Sequence, residues 1–491
     1  MSSAVTGSTG RRAGRSGAVA RGAAGEGAPP HRVVSERSDR SGAPSRLGPR
    51  ERLAALVSPP RINALGIARA LAILGMIGAH TGDIPPFDPT WPPSYLAVVH
   101  GNSSMLFAVL AGISIALVTG RRRLPEPAEL PRLRASLLGR GAAIFLIGLV
   151  LEMLGTGVAV ILTFYGVVYI AALPLLRLRP SRLLLLALPI ALLGPVIVAL
   201  AEVLSLGAYG SGADLMLTGS YRITAWAPLI LLGMALGRMP LDRPRPAATI
   251  AAVGAGAAVL ATVAGMALAA LLGALAPGVY GPEAESSISS GVEEGVDKGV
   301  VEDEPGLGWD GYAEALAESD PWWTLGEAVI SLEPHSGSTL EVLRSGGIAL
   351  AVIGALLLVA RPLRWVLLPF SAIGSMPLTA YSVHLVSLVV LVGPGGWIAD
   401  NRVWVGSALV LLVGCTVWSA LRGRGPLERV TAWAARRAGV SVVAAPVVGA
   451  GAIGAAAATA PAAQASTPPP ALAPTSVDPG ASSERRDARG R

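Results

Sequence analysis

Charged residues are scarce in this chain, and cysteine is nearly absent. Asp, Glu, Lys and Arg make up only 14% of the 491 residues, whereas 52% are hydrophobic. The mean hydropathy is +0.57. These values exclude an ordinary soluble globular protein and predict a membrane protein. The single cysteine, Cys415, lies inside an apolar run, which excludes a disulfide framework and a cysteine metal site.

Histidine is also rare, and familiar soluble-enzyme motifs are missing. The five histidines are scattered, so we expect no metal site. The sequence contains no phosphate-binding loop and no nucleophile elbow. The net charge of +7 is distributed by loop and forms no single basic face, so we expect no nucleic-acid partner.

Long apolar runs account for most of the chain. They predict an all-α, polytopic transmembrane helical bundle of about ten spans. The predicted spans are 63–81, 103–119, 139–154, 158–176, 183–204, 224–237, 247–276, 345–360, 367–392 and 403–421.

The arginines predict how these spans are oriented. Arginine clusters fall in every second connection, at 121–134, 177–182, 238–245, 361–364 and 422–437. Because positive residues are retained on the cytoplasmic side, this alternation predicts that both termini are cytoplasmic. We therefore expect a multi-pass protein of the cell membrane, with the lipid bilayer as its first partner.

Three segments differ in composition from the spans. Residues 1–60 are rich in Gly, Ala, Ser, Pro and Arg and are predicted to be a disordered basic cytoplasmic tail. Residues 425–491 are predicted to be an Ala/Pro-rich cytoplasmic tail. The connection 277–341 carries fifteen acidic residues and one lysine. It is either a solvated acidic loop outside the cytoplasm or a lid over an outer opening.

The first span carries two ionisable residues, Arg69 and His80. They are eleven positions apart, about three helical turns, and so lie on nearly the same face, roughly 16 Å apart along the axis. Ionisable groups inside a span usually face a bundle interior or a wet cavity, which makes both residues functional candidates. Alternatively, Arg69 extends toward the lipid headgroups and His80 caps its helix.

Further polar residues are predicted at the outer ends of the spans. A histidine, a carboxylate and hydroxyl groups around one cavity could supply a base, its orienting partner and donors to an oxyanion. Capping is the simpler explanation for the serines, solvent exposure for Glu152, and an interhelical hydrogen bond for His384. The candidates are His80, His100, Asn102, Ser103, Ser104, Glu152, Tyr221, Arg222, His335, Ser336, Tyr381 and His384.

Several segments resemble one enzyme family. Ala68-Arg-Ala through His80, followed by Ser103-Ser-Met-Leu-Phe-Ala-Val-Leu-Ala-Gly112, resembles bacterial, actinobacterial-type relatives of the heparan-α-glucosaminide N-acetyltransferase catalytic domain. The segment Gly374-Ser-Met-Pro-Leu-Thr-Ala-Tyr381 is similar to the related YeiB-like membrane family. The spacing of Arg69 and His80 also resembles the motif of the membrane acyltransferase-three family, except that Ala70 stands where glycine is usual.

The resemblance implies that residues 61–424 form a transmembrane acyltransferase-like domain. It implies acetyl-CoA or another acyl-CoA as a cytoplasmic donor, no metal, and a glycan or lipid of the cell envelope as acceptor. His80 is then the catalytic histidine and Arg69 a donor-side cation. In the heparan enzyme the essential histidine follows the first span, so His100 competes with His80 for this role.

Two other classes of function fit the same residues. A buried arginine and histidine also suit a transporter or flippase for a lipid-linked or small polar substrate, although no internal repeat is evident. A non-catalytic scaffold could use the acidic connection to recruit cationic partners. A homodimer is compatible with each of the three functions.

Overall fold

All regular structure in the described part of the chain is helical. The computed structural model describes residues 48–59, 62–88, 90–206, 217, 219, 221–277 and 308–444. These residues contain fifteen α-helices, which confirms the predicted all-α class. They are α1 (Pro49–Val57), α2 (Asn63–Thr81), α3 (Asn102–Val118), α4 (Leu130–Glu152), α5 (Ile161–Ala171), α6 (Pro180–Leu204), α7 (Ile223–Gly237), α8 (Pro244–Leu275), α9 (Gly308–Glu318), α10 (Pro321–Ile330), α11 (Thr339–Val359), α12 (Leu368–Ser375), α13 (Pro377–Val392), α14 (Asn401–Arg422) and α15 (Pro426–Ala444). Three 3₁₀ helices, Pro92–Val99, Pro127–Glu129 and Leu173–Arg177, join them.

Seven helical segments in the described residues are long and apolar enough to cross a membrane, so this is a membrane protein. They are α2, α6, α8, α11 and α14, together with α3 and α4, each counted with the 3₁₀ helix before it. The α12–α13 pair makes an eighth if its two helices form one span. The shorter α5 and α7 are apolar as well. The ten spans and the cytoplasmic termini stay predictions.

Proline divides two segments that were predicted to be continuous. Residues 367–392 form α12 and α13, which meet at an angle of 87°. Met376 between them has φ −137° and ψ 54°, and α13 begins at Pro377. Residues 158–176 contain only the short α5, followed by a 3₁₀ helix with Pro174 in its first turn. A proline lacks the N–H that would continue the preceding helix, which accounts for both breaks.

Parts of the predicted tails and of the acidic connection are also helical. Helix α1 packs against α14 and α12, and α15 packs along α4. Helix α15 buries only a narrow stripe, including Thr431, against its neighbours. Helices α9 and α10 lie in the second half of the connection 277–341. Residues 1–47, 278–307 and 445–491, where the remaining tail and loop predictions fall, lie outside the described residues.

Helix α2 lies at the centre of the bundle. It contacts α3, α11, α12, α13 and α14, and Ile67, Ala68 and Ile73 on it are at most 1% exposed. Helix α3 packs on α7 so closely that a Cβ atom at Gly112 would lie 2.0 Å from the carbonyl oxygen of Ile230. Small residues permit such approach in membrane bundles. The two ends of α2 are thereby held in fixed surroundings.

Candidate functional site

The two ends of α2 open into different cavities. The first, which we call the histidine cavity, lies at the C-terminal end of α2 and has a volume of about 420 Å³. Its polar and aromatic lining residues are His80, Ser103, Ser104, Tyr221, Arg222, His335, Tyr381 and Trp397. Seven of the residues predicted from the sequence are thus brought together, although they come from five separate stretches of chain.

His80 is hydrogen-bonded to a second histidine. Its Nδ1 atom lies 3.1 Å from Nε2 of His384 on α13, and the two rings are nearly parallel, with 7° between their planes. His384 is only 2% exposed. The interhelical hydrogen bond considered for His384 is therefore present, and its partner is the other candidate histidine.

The segment before α11 holds His335 at the edge of this cavity. Its organising group is the carboxylate of Glu341, which is fully buried. The carboxylate accepts hydrogen bonds from the backbone N–H of His335 (2.7 Å), from that of Gly337 (2.7 Å) and from the Ser336 hydroxyl (3.1 Å). His335 itself has a φ of 68°, a conformation that non-glycine residues rarely adopt. Glu341 thus holds the loop in a strained conformation.

Arg222 and Tyr221 attach neighbouring segments to the same loop and cavity. Arg222 donates a hydrogen bond of 2.9 Å to the carbonyl oxygen of Ser336 and lies 3.9 Å from the carboxylate of Glu202. The Tyr221 hydroxyl donates to the carbonyl oxygen of Ala159. Burial raises the pKa of Tyr221 well above its usual range, so its phenol is protonated at neutral pH. Tyr221 is therefore a hydrogen-bond donor and not a base.

The residues before α3 divide between structural and cavity positions. The Ser104 hydroxyl donates to the carbonyl oxygen of Gly101 (2.7 Å), and the Asn102 amide donates to that of Val98 (3.0 Å). Ser103 and Ser104 line the cavity, whereas Asn102 and His100 do not. Nε2 of His100 is buried without a hydrogen-bond partner among the described residues. Of the two competing histidines, only His80 reaches the cavity.

Glu152 and Ser336 are also outside the histidine-cavity lining. Glu152 is exposed at the end of α4, where its carboxylate accepts a hydrogen bond of 2.7 Å from the Thr163 hydroxyl. Ser336 contributes to the loop through Glu341 and Arg222. The solvent-exposed interpretation of Glu152 therefore fits its position.

The second cavity, which we call the arginine cavity, lies at the N-terminal half of α2 and has a volume of about 650 Å³. It is lined by Arg69, Arg121, Arg140 and Arg424, and by Glu428 among the acidic residues of the described chain. Arg69 donates a hydrogen bond of 2.9 Å to the Ser114 hydroxyl on α3. Four guanidinium groups against one carboxylate give this cavity a chemistry suited to anions, phosphates above all.

The Glu428 carboxylate already has partners of its own. It accepts hydrogen bonds from the backbone N–H groups of Leu378 (2.8 Å) and Thr379 (3.1 Å) and from the Thr379 hydroxyl (2.6 Å). These are donors of the first turn of α13, so Glu428 caps the helix that carries Tyr381 and His384. Its negative charge is directed to a helix N-terminus, where it is favourable.

Tyr381 lines both cavities. Its hydroxyl accepts a hydrogen bond of 3.4 Å from the backbone N–H of Ile161 at the start of α5. Tyr381 is 3% exposed, and it is the lining residue that the two cavities share. A molecule that reaches from one cavity to the other would pass this side chain.

Sequence reasoning missed most of the arginine cavity. Arg140 had a usable signal, because it lies inside α4, a segment long and apolar enough to span the membrane, as Arg69 does in α2. Arg121 and Arg424 had no such signal, since each belongs to a basic cluster explained by topology. No group of three or more metal-ligating side chains occurs in the described ranges.

Comparison with known proteins bears on the part of the chain that contains α2 through most of α8. Residues 61–271 match the family model described as heparan-alpha-glucosaminide N-acetyltransferase, catalytic. The family resemblance predicted from the sequence is thereby confirmed. The matched segment, which we call the acetyltransferase-like segment, includes Arg69, His80, Tyr221 and Arg222, and it is similar to that catalytic domain.

The acetyltransferase-like segment ends before His335, Tyr381 and His384, so these residues are not covered by the match. A comparison with curated proteins and with solved structures gives no match.

Proposed function

We propose that this protein is an integral membrane acyltransferase of the cell membrane. In this proposal an acetyl or other acyl group passes from cytoplasmic acyl-CoA to a hydroxyl or amine of a glycan or lipid at the outer face. The observation that carries the proposal is the pair of cavities at opposite ends of α2, one rich in arginine and one rich in histidine, with Tyr381 lining both.

The arginine cavity would hold the donor. Acyl-CoA carries several phosphate charges, and guanidinium groups pair with phosphate in bidentate geometry. Arg69, Arg121, Arg140 and Arg424 are the cations that line this cavity. The alternation of arginine-rich connections predicts that this end of the bundle is cytoplasmic, where acyl-CoA is found.

The histidine cavity would hold the acceptor. His80 could remove the proton from the acceptor hydroxyl or amine as that atom attacks the thioester carbonyl. The C–S bond then breaks, and the CoA thiolate recovers a proton. In the second possible route, Nε2 of His80 itself attacks the thioester carbonyl, and the C–S bond breaks to release the CoA thiolate. The acceptor then attacks the acyl-imidazole, the C–N bond to His80 breaks, and Nε2 of His80 takes up the acceptor's proton. To donate to the oxyanion in either route, the hydroxyls of Tyr221 and Ser104 would turn their hydrogens away from the carbonyl oxygens of Ala159 and Gly101.

Transfer of labelled acetyl tests this proposal. Full-length protein in vesicles would receive acetyl-CoA labelled in the acetyl group, with an extract of native membrane as acceptor. We expect labelling with the wild type and with Arg134→Gln, an exposed arginine of α4 outside the cavity. We expect strong losses with Arg69→Ala and His80→Ala and a smaller loss with His100→Ala. Failure of the folded wild type with acetyl-CoA and with longer acyl-CoAs would contradict the proposal.

A transporter or flippase is the second candidate, because two cavities that share Tyr381 could also hold a transported substrate in turn. Acyl-CoA binding separates the two functions. Saturable binding of acyl-CoA that is lost in Arg140→Gln supports the transferase. Substrate movement across vesicles by a protein that binds no acyl-CoA supports the transporter.

A further inference from the structure

The hydrogen bond between His80 and His384 joins two titratable side chains of different exposure. His80 lines the histidine cavity, whereas His384 does not and is 2% exposed. The bond joins Nδ1 of His80 to Nε2 of His384 at 3.1 Å. Only Nε2 of His80 is therefore left to act on a molecule in the cavity.

A hydrogen bond between two imidazoles contains one hydrogen, so one ring donates and the other accepts. If Nδ1 of His80 donates, its Nε2 carries a lone pair and can act as a base or nucleophile. If Nε2 of His384 donates, Nε2 of a neutral His80 carries the hydrogen and can do neither. The direction of this bond thus decides whether His80 is reactive.

The charged form of His80 admits only one of these directions. Once His80 has accepted a proton, both of its ring nitrogens carry hydrogens, and Nδ1 can only donate. His384 must then accept through Nε2. If the same direction holds in the neutral form, no hydrogen has to be rearranged during the reaction.

The surroundings of the second ring nitrogen of His384 exclude a longer proton relay through the described residues. Nδ1 of His384 is buried and has no hydrogen-bond partner among them. A proton that moved onto His384 would have no acceptor beyond it. The proton that His80 takes up therefore leaves from His80 again and does not pass through His384.

We propose that His384 is a positioning residue that accepts the Nδ1 hydrogen of His80 and so presents the Nε2 lone pair of His80 to the histidine cavity. This inference rests on the proposed acyl transfer for its consequence, but the tautomer of His80 can be measured without it. His384 follows residue 271, so the acetyltransferase-like segment contains only one member of the pair.

Nitrogen NMR of histidine-labelled full-length protein in lipid nanodiscs tests the tautomer. The His80 signals are assigned by their loss in His80→Gln. We expect Nδ1 of His80 to be protonated and Nε2 to be unprotonated in the wild type. In His384→Phe, we expect the hydrogen to move largely to Nε2, the form that free imidazole favours in water. His384→Gln should retain the wild-type signature, because its side-chain oxygen can accept from Nδ1.

Ser382→Ala is the matched control, since Ser382 lies on the same helix with a buried hydroxyl that lacks a partner among the described residues. It should leave the His80 signals unchanged. A wild-type His80 that is protonated on Nε2, or a His80 signature unchanged in a folded His384→Phe, would overturn the proposal. If His384→Phe does not fold, the retained signature in His384→Gln against a shifted one in His384→Leu decides the question.

Kinetics then separate this inference from the proposed function. We expect kcat to fall roughly 10²- to 10⁴-fold in His384→Phe, the range for loss of a general base, while the Kd for acyl-CoA is unchanged. His384→Gln should recover most of kcat. A wild type with the expected tautomer but no transfer activity would contradict the acyltransferase and leave the pairing intact. A normal kcat in His384→Phe would contradict the pairing and leave the acyltransferase intact.

Discussion

The two cavities are built in different ways. The arginine cavity takes its cations from α2, from α4 and from positions just beyond the C-terminal ends of α3 and α14. The histidine cavity depends more on connecting segments, namely those around residues 101, 158, 222, 335 and 397. Sites on helices are held by the packing of the bundle, whereas sites on loops need their own hydrogen bonds.

This difference suggests that the two cavities have different roles, one in binding the donor and the other in selecting the acceptor. A cavity of fixed cations can bind a donor of constant chemistry, since acyl-CoA always presents the same phosphates. A cavity built on loops can be adapted to a particular acceptor without disturbing the bundle. Substitutions in the first cavity should change donor affinity, and substitutions in the second should change turnover.

The largest expected effect is on turnover, from His80→Gln. We expect kcat to fall roughly 10²- to 10⁴-fold because the group that accepts the proton is lost. The Kd for acyl-CoA should change less than twofold, since His80 does not line the arginine cavity. Steady-state kinetics and equilibrium binding on the same preparation measure the two quantities. A comparable loss of donor affinity would show that the cavities are not separate.

The next effect is on donor affinity, from Arg140→Gln and Arg424→Gln. Each charge-assisted hydrogen bond to phosphate contributes about 1.5–3 kcal/mol, so each substitution should weaken binding by about ten- to a hundredfold. At saturating donor, kcat should be nearly that of the wild type. Arg134→Gln on α4 is the control. Equal weakening in the control would mean that overall charge, and not the cavity, attracts the donor.

The sequence predicted these two cavities unequally. His80, Tyr221, Arg222 and His335 stood out because the predicted topology places them at one membrane face, where such side chains could surround one cavity. Arg121 and Arg424 could not be assigned to a site, because the positive-inside pattern already explained them.

The fold, too, could be predicted only in part from the sequence. The first span, Asn63–Thr81, has the predicted bounds because its apolar run ends abruptly on both sides. The break at Met376 was missed, since hydropathy averages over the bend before Pro377. The pairing of His80 with His384 joins residues 304 positions apart, and no local pattern encodes such a contact.

Glu341→Gln should separate the loop-built cavity from the helix-built one. A glutamine keeps the shape of the side chain but replaces one acceptor oxygen with an NH₂ group facing N–H donors. Loss of one hydrogen bond to a charged group costs about 1.5–3 kcal/mol, which should make opening of the loop around His335 more frequent. We expect faster hydrogen exchange in residues 333–341 and about a tenfold lower kcat.

Glu333→Gln is the control for this change, because Glu333 is exposed on the same loop. It should alter neither quantity. Unchanged exchange in Glu341→Gln would mean that packing alone holds the loop, and the proposed contrast between the cavities would lose its basis.

Gly233→Ala should affect both cavities together, because α3 contributes to each. A Cβ atom at Gly233 would lie 2.0 Å from the carbonyl oxygen of Val109, so α7 and α3 must move apart. Overpacking of this kind costs about 1–3 kcal/mol. Thermal unfolding in detergent should show a lower midpoint, with losses in both donor affinity and kcat. Gly256→Ala on α8 meets no atom within 4 Å and should leave the midpoint unchanged or slightly higher.

The smallest effect on thermal stability should come from a substitution of Asp242, which lies between α7 and α8. Its carboxylate lies 2.6 Å from Arg122 and 3.6 Å from the cavity residue Arg121. A backbone hydrogen bond and these arginines hold the pKa of Asp242 below its usual range. A lowered folded-state pKa stabilises the fold above the ordinary value of about 4, and the benefit disappears as pH falls through the folded-state pKa. Asp242→Asn should therefore lower the midpoint slightly at pH 7 and not at all at strongly acidic pH. Because Asp242 is largely exposed, added salt should also reduce the difference in midpoint between Asp242→Asn and the wild type. A lower midpoint that persists in high salt and in acid would show that Asp242 acts through packing instead.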